Sequence, residues 1–256
     1  MATMQTFSPH SLPNRAVIAL RGDGVLAFLH NILTCKVENL NHGGMAYGAL
    51  LSPQGKILHD VFVHHADHAI MIDCEKKNAD DLIGKLKLYR LRAKFEISRR
   101  DDLEVVAGAG TALDPRHMSL GLRGIFARGD HSVGTSYDDA RYTIGIADSA
   151  EIGSGKLFPH EANFDLFGAV DFKKGCYIGQ EVVSRMQHRG TARSRIMPVI
   201  FENDQPADEI RIGDTLLGEV LGRRGRAALA LIRTDRLAEV GETPGMVITK
   251  PEWMKL

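Results

Sequence analysis

The segment "KKGCYIGQEVVSRMQHRG", residues 173–190, sets one cysteine between two lysines and a Gln-Glu pair, with Gly175 and Gly179 punctuating it. Thiol chemistry needs the thiolate, and nearby positive charge favours that form. Lys173 and Lys174 flank Cys176 closely enough to supply it if the turn folds them inward. Gly175 and Gly179 are read as positions permitting positive φ or close approach of backbone to a ligand. Downstream, Arg185, His188, Arg189, Arg193 and Arg195 offer forked donors for carboxylates on a ligand tail. A small buried thiol beside a solvated basic face would give the same spacing.

Other chemical patterns fail on their own terms. "EIGSGKLF" lacks the first glycine and the closing Ser or Thr of a phosphate loop, where Ala150 and Leu157 stand. "VVAGAGTAL" has Leu113 at the third glycine of a dinucleotide fingerprint. His59, His64, His65 and His68 crowd one stretch, but the last three fall at an expected hairpin turn, where polar residues are common. A Cys-His pair using His160 or His188 stays open, because spacing does not tell whether either reaches Cys176.

These residues need elements to hold them. "AVIAL" (16–20) predicts a strand. Asp23 then offers a cap for a helix carrying Val25, Phe28, Leu29, Ile32 and Leu33 at helical spacing. Two apolar runs around Ser52-Pro53-Gln54-Gly55 predict a hairpin, and "HAIMIDC" a further strand. "KKNADDLIGKLKLYRL" has helical period, and "RLRAKFEI" alternates like a strand. The order β-α-β-β-β-α-β reads as a split ferredoxin-like α+β lobe with an extra strand. Signals weaken over 101–170, an irregular middle lobe with one helix near "YDDARYTIGIA". Beyond Arg195, short strands between Gly, Pro and Asp turns predict a small C-terminal β-barrel, residues 196–256, set against a region 1–195.

Composition limits the partners. The 256 residues, 44% of them hydrophobic, can build more than one lobe. Lys+Arg and Asp+Glu both total 32, which argues against nucleic acid as the main partner. The three cysteines form no CxxC pair, so neither a disulfide framework nor a zinc site is expected. No apolar run reaches membrane length and the first residues lack a signal-peptide pattern, so no membrane partner is expected and the cytoplasm is the default compartment.

"KGCYIGQE", preceded by "FPHEANFDLFGAVDF", resembles the signature of the YgfZ family, folate-binding relatives of the glycine-cleavage T-protein that support iron-sulfur protein maturation. "LRGDGVLAFLHNILTCKVENL", "YGALLSPQGKILHD" and "LYRLRAKFEI" are similar to that family's successive N-terminal blocks. The resemblance implies an aminomethyltransferase-like fold of three lobes around a channel for tetrahydrofolate, and a monomer serving iron-sulfur clients or their assembly machinery. It would reside in the cytoplasm, or in the mitochondrial matrix of a eukaryote. It also implies a functional centre at Lys174 and Cys176, with Asp80, Tyr47, Tyr177, Gln180, Glu181, Arg185, Arg193 and Arg195 as the set that holds folate. The alternative is a folate-dependent aminomethyltransferase; the T-protein branch usually carries an acid where Cys176 stands, so the cysteine argues against that alternative, while Asp80 argues for it.

Overall fold

The computed structural model describes residues 8–190, 192–204, 208–237 and 243–255. Strand β1 (His10–Ser11) precedes β2 (Arg15–Arg21), helix α1 (Val25–Ile32), β3 (Met45–Leu51), β4 (Ile57–Ala66), β5 (Ala69–Glu75), α2 (Ala79–Arg90) and β6 (Glu96–Arg99). From β2 to β6 this is the expected β-α-β-β-β-α-β order. Its five strands form one antiparallel sheet in the order β3-β4-β5-β2-β6.

Strand alternation sends side chains to two faces, and here both faces are covered. Ile18, Leu20, Val61, Val63 and Ile72 meet Val25 and Leu29 of α1 and Leu82 and Leu86 of α2. Tyr47, Ala49, Leu51 and Phe62 face the rest of the molecule. A sheet buried on both sides reads as near-continuous apolar runs, as "AVIAL" and "ALLS" do.

Two local expectations are corrected. Helix α1 opens at Gly24, φ +78°, with no side-chain cap, so Asp23 does not fill that role. The alternating run 90–97 is not a strand: α2 runs to Arg90, Leu91 stops it at φ +51°, and β6 starts only at Glu96. Arg92 and Lys94 are exposed while Phe95 is buried, so the alternation marks a turn with one anchored ring.

The stretch with the weakest pattern forms a three-stranded antiparallel sheet, β1-β7-β8, from β7 (Leu103–Leu113) and β8 (Leu122–Ala127). A register shift between Ala107 and Ala112 breaks the alternation, and a Cβ on Gly110 would lie 2.3 Å from the Arg123 carbonyl oxygen. Helices α3 (Ser136–Ile144) and α4 (Ser149–Ile152) follow, the second opened by a capping box from Asp148 and Glu151. After α5 (Gln180–Arg189) come β9 (Ser194–Phe201), β10 (Glu209–Ile212), β11 (Thr215–Arg224), β12 (Ala227–Arg233) and β13 (Met246–Ile248). They make a five-stranded antiparallel sheet, β10-β11-β12-β9-β13, around Met197, Phe201, Ile210, Leu217 and Ile232.

Charges bury the seam between lobes. Arg15 Nε donates to Asp73 Oδ1 at 2.6 Å, and its Nη1 to Asp148 Oδ1 at 3.0 Å and Ser149 Oγ at 2.9 Å. Arg123 Nε donates to the other Asp73 oxygen at 2.7 Å, and its guanidinium lies 4.0 Å from the Phe62 ring centre. Arg116 pairs with Asp114 at 2.8 Å and touches Tyr137. Ser149 Oγ and Tyr47 Oη both donate to Asp60, at 2.5 and 3.1 Å. Buried ions are tolerated only when paired and hydrogen-bonded, and this cluster meets that condition across three parts of the chain.

Candidate functional site

The motif loop is held at two points. Lys174 Nζ donates to the carbonyls of Leu33 at 2.6 Å and Cys35 at 3.0 Å, and also to that of His30. These are carbonyls at and just beyond the end of α1, which has no later turn to satisfy them, so the ammonium acts as a C-terminal cap. Burial lowers the Lys174 pKa from its usual value, against the pull of Cys35 and Asp171.

The second anchor is Gly179, at φ +79° ahead of α5. A Cβ there would sit 2.6 Å from the Ser52 carbonyl oxygen and 3.0 Å from Gly55 Cα, so the β3–β4 turn lies directly against it. Gly55 in turn meets Val182 of α5. Gly179→Ala meets a strained backbone and a clash, and is expected to destabilise the protein by about 2 kcal/mol. Gly175 has open space around it and no positive φ, so the positive-φ reading of it is corrected, and Gly175→Ala should be near neutral for stability. Urea midpoints of the two variants check this; equal midpoints would remove the anchor.

Between the anchors Cys176 is exposed. Cys35 and Cys74 are buried, and burial pushes each thiol up to about 12. Tyr177 turns inward, burial pushing its hydroxyl up to about 12. The lysine that the sequence offers as an activator of Cys176 therefore holds the end of α1 with its ammonium.

A cavity of about 450 Å³ opens beside the motif, lined by Tyr47, Phe167, Phe172, Asp171, Lys36 and Lys173, with the Cys35 segment at its wall. Tyr47 Oη points at Asp60 behind this wall. Burial raises the Asp60 pKa above the usual carboxylate value, against Arg15, and also raises Tyr47 well above the usual phenol range. Asp60 is an acid that sequence reasoning missed; its signal was a lone carboxylate in the apolar run "LHDVFV".

The remaining expected residues scatter. Asp80, its side chain 85% exposed, pairs with Arg99 at 3.1 Å on the outer face of α2, and is not among the residues lining the cavity. Arg185 pairs with Glu181 along α5. Arg195 is buried, with Nη1 donating to Asp165 Oδ1 at 2.9 Å and Nη2 to Oδ2 at 2.8 Å, so its fork is already filled. Arg193 is exposed and Gln180 half-buried at the start of α5. His160 Nε2 lies 2.9 Å from Gln187 Oε1, and His188 is exposed.

With this geometry in view, the comparisons with known proteins are specific. Residues 193–256 match the family model "CAF17, C-terminal beta-barrel domain". The chain is 33% identical over 230 residues to "Iron-sulfur cluster assembly factor IBA57 homolog, mitochondrial" of Pyricularia oryzae, covering 78% of this chain and 59% of that one. It is 34% identical to the protein of the same description from Phaeosphaeria nodorum, covering 74% and 54%. It is 26% identical to the Homo sapiens "Iron-sulfur cluster assembly factor IBA57, mitochondrial", covering 94% and 84%. The chain thus spans somewhat over half the length of the fungal relatives. Its homologues are IBA57 proteins. The fold is that of glycine cleavage system aminomethyltransferase T from Bartonella henselae, TM-score 0.73 at 14% identity, over 96% of this chain and 86% of that one.

Proposed function

We propose that the chain is an accessory factor for assembly or repair of iron-sulfur proteins, of YgfZ-like type, that binds tetrahydrofolate and works as a monomer. Cys176 is the thiol it presents to an iron-sulfur client or to the assembly machinery. The observation that carries this is the loop pinned by Lys174 and Gly179, which holds an exposed thiol three residues along the chain from Lys173, a residue of the Tyr47 cavity wall. The names of its homologues support the iron-sulfur role, and their mitochondrial descriptions support the matrix as its place in a eukaryotic cell; in a bacterium the place is the cytoplasm.

The cavity suits the cofactor. Its volume lies in the range of small-molecule sites, about 300–1,000 Å³. Phe167, Phe172 and Tyr47 offer flat faces to a pteridine, and Asp171 offers an acceptor for ring N–H groups. Lys36 and Lys173 take the role first given to Arg193 and Arg195, meeting the carboxylates of a glutamate tail. Bound folate would supply a one-carbon carrier.

Calorimetric titration of the chain with tetrahydrofolate tests this reading. Saturable binding at one site is expected, weakened roughly tenfold in Phe172→Ala. No heat at millimolar folate would remove the cofactor from the proposal and leave the thiol.

A further inference from the structure

The end of α2 carries a feature that neither the folate cavity nor the motif loop uses. From Leu82 to Phe95 the chain holds Lys85, Lys87, Arg90, Arg92 and Lys94 and no acid, in a protein whose charges balance overall at 32 each. Within this run Leu88 is 68% and Leu91 84% exposed, so two large apolar side chains stand in water three residues apart. Leu91 also sits at φ +51°, a backbone region that a residue with a Cβ enters only at a cost in strain. Leu82, Leu86 and Phe95 already anchor this segment in the core, so the fold does not need the two outer leucines. Arg90 closes the turn by donating to the Phe95 carbonyl at 2.6 Å, which leaves the tip of the turn to Leu91, Arg92 and Lys94.

We infer that this tip, Leu88 and Leu91 ringed by Lys87, Arg92 and Lys94, docks the protein onto an anionic phospholipid surface. Each basic side chain near such a surface is attracted by its negative potential, and exposed leucines add to the binding by passing the headgroups into the acyl boundary. A run with cations on both sides of the leucines and no acid between them suits a uniformly negative, deformable surface. No described helix is long and apolar enough to cross a membrane, and surface docking does not require one. The lack of a membrane-length apolar run in the sequence therefore does not bear on it. The inference is independent of the proposed function, since it uses none of the same residues.

Sedimentation of the full chain with vesicles of phosphatidylglycerol and phosphatidylcholine at about 3:7, and with pure phosphatidylcholine, tests it. Binding is expected to the first and not the second, falling steeply as salt rises. Lys87→Gln with Arg92→Gln and Lys94→Gln should abolish it, and Leu88→Ser with Leu91→Ser should weaken it at least fivefold at fixed salt.

Leu91→Gly separates docking from structure, because glycine relieves the positive φ. The melting temperature should rise by about 2–4 °C while vesicle binding falls. A leucine that served only the fold would lower the melting temperature when replaced and leave binding unchanged. Absence of vesicle binding at low salt overturns the inference and points to an acidic protein as the partner of the tip. Binding unchanged in the leucine variants, or lost instead on substituting Arg189 and Arg193, overturns it as well.

Discussion

Asp73→Asn is expected to reduce unfolding free energy by about 3–5 kcal/mol, a large share of the roughly 5–15 kcal/mol that holds a domain folded. Asparagine keeps the shape, but it removes the charge that Arg15 and Arg123 both meet at full burial. Asp148 continues to serve Arg15 at 3.0 Å, whereas Arg123 is left with Asp114 at 4.0 Å and the Tyr137 hydroxyl at 2.7 Å. Arg123→Met added to Asp73→Asn should recover part of the loss, since the uncompensated guanidinium goes with it.

The same carboxylate sets an acid limit. Burial pushes its pKa up, but Arg123 and Arg15 outweigh this and hold it well below the ordinary value. A folded-state pKa that is depressed contributes stability above the unfolded value near 4, lost as pH falls toward the folded one. Wild-type urea midpoints should therefore drop below about pH 4, and Asp73→Asn should lose less over that window. Asp60 has the opposite sign: its raised pKa favours the folded state at lower pH, so it offsets part of the drop. A midpoint for Asp73→Asn equal to wild type at pH 7 would show that the arginines are satisfied without it.

Cys176→Ala is expected to abolish rescue of iron-sulfur enzyme activity in cells lacking the native factor while changing stability by less than about 0.5 kcal/mol. The thiol is exposed on a loop whose position is set by Lys174 and Gly179, so its removal leaves no cavity and breaks no anchor. Cys35 and Cys74 stay neutral at pH 7, with thiols pushed up to about 12 by burial. A small alkylating reagent should label one cysteine in the native protein and three in denaturant, with the native label at Cys176. Full rescue by Cys176→Ala at normal protein level would move the function to the cavity alone.

What the sequence showed and hid follows from the range of the interactions. The N-terminal lobe was legible because "AVIAL", "HAIMIDC" and the spacing of Leu82 and Leu86 are local periodic signals. The end of α2 was misread because Leu91 stops the helix by a single backbone angle, which alternation does not encode. Arg195 looked available because it follows a basic run; that Asp165, thirty residues earlier, fills its fork is a fact of tertiary structure. The buried seam was hidden for the same reason, Arg15 and Asp148 being 133 residues apart. Its only trace was Asp60 and Asp73 as single acids in apolar strands. Lys174 and Cys176 are neighbours in the sequence, but that one is bonded inward and the other faces out required the carbonyls of α1.

Strand β1 has a consequence for how the molecule comes into being. His10 and Ser11 pair with Ala107 and Val106, so the first described strand belongs to the middle sheet although the whole N-terminal lobe separates them. No single cut separates the N-terminal and middle lobes into self-contained pieces: a fragment starting at β2 lacks an edge of the second sheet, and one ending before β7 carries an orphaned strand. On the ribosome, β1 waits for roughly a hundred further residues to be made before its partner exists. Contacts of such separation slow folding. The first two lobes are thus interlaced parts of one folding unit, and a fragment meant to isolate the middle one should carry residues 8–12 along with it.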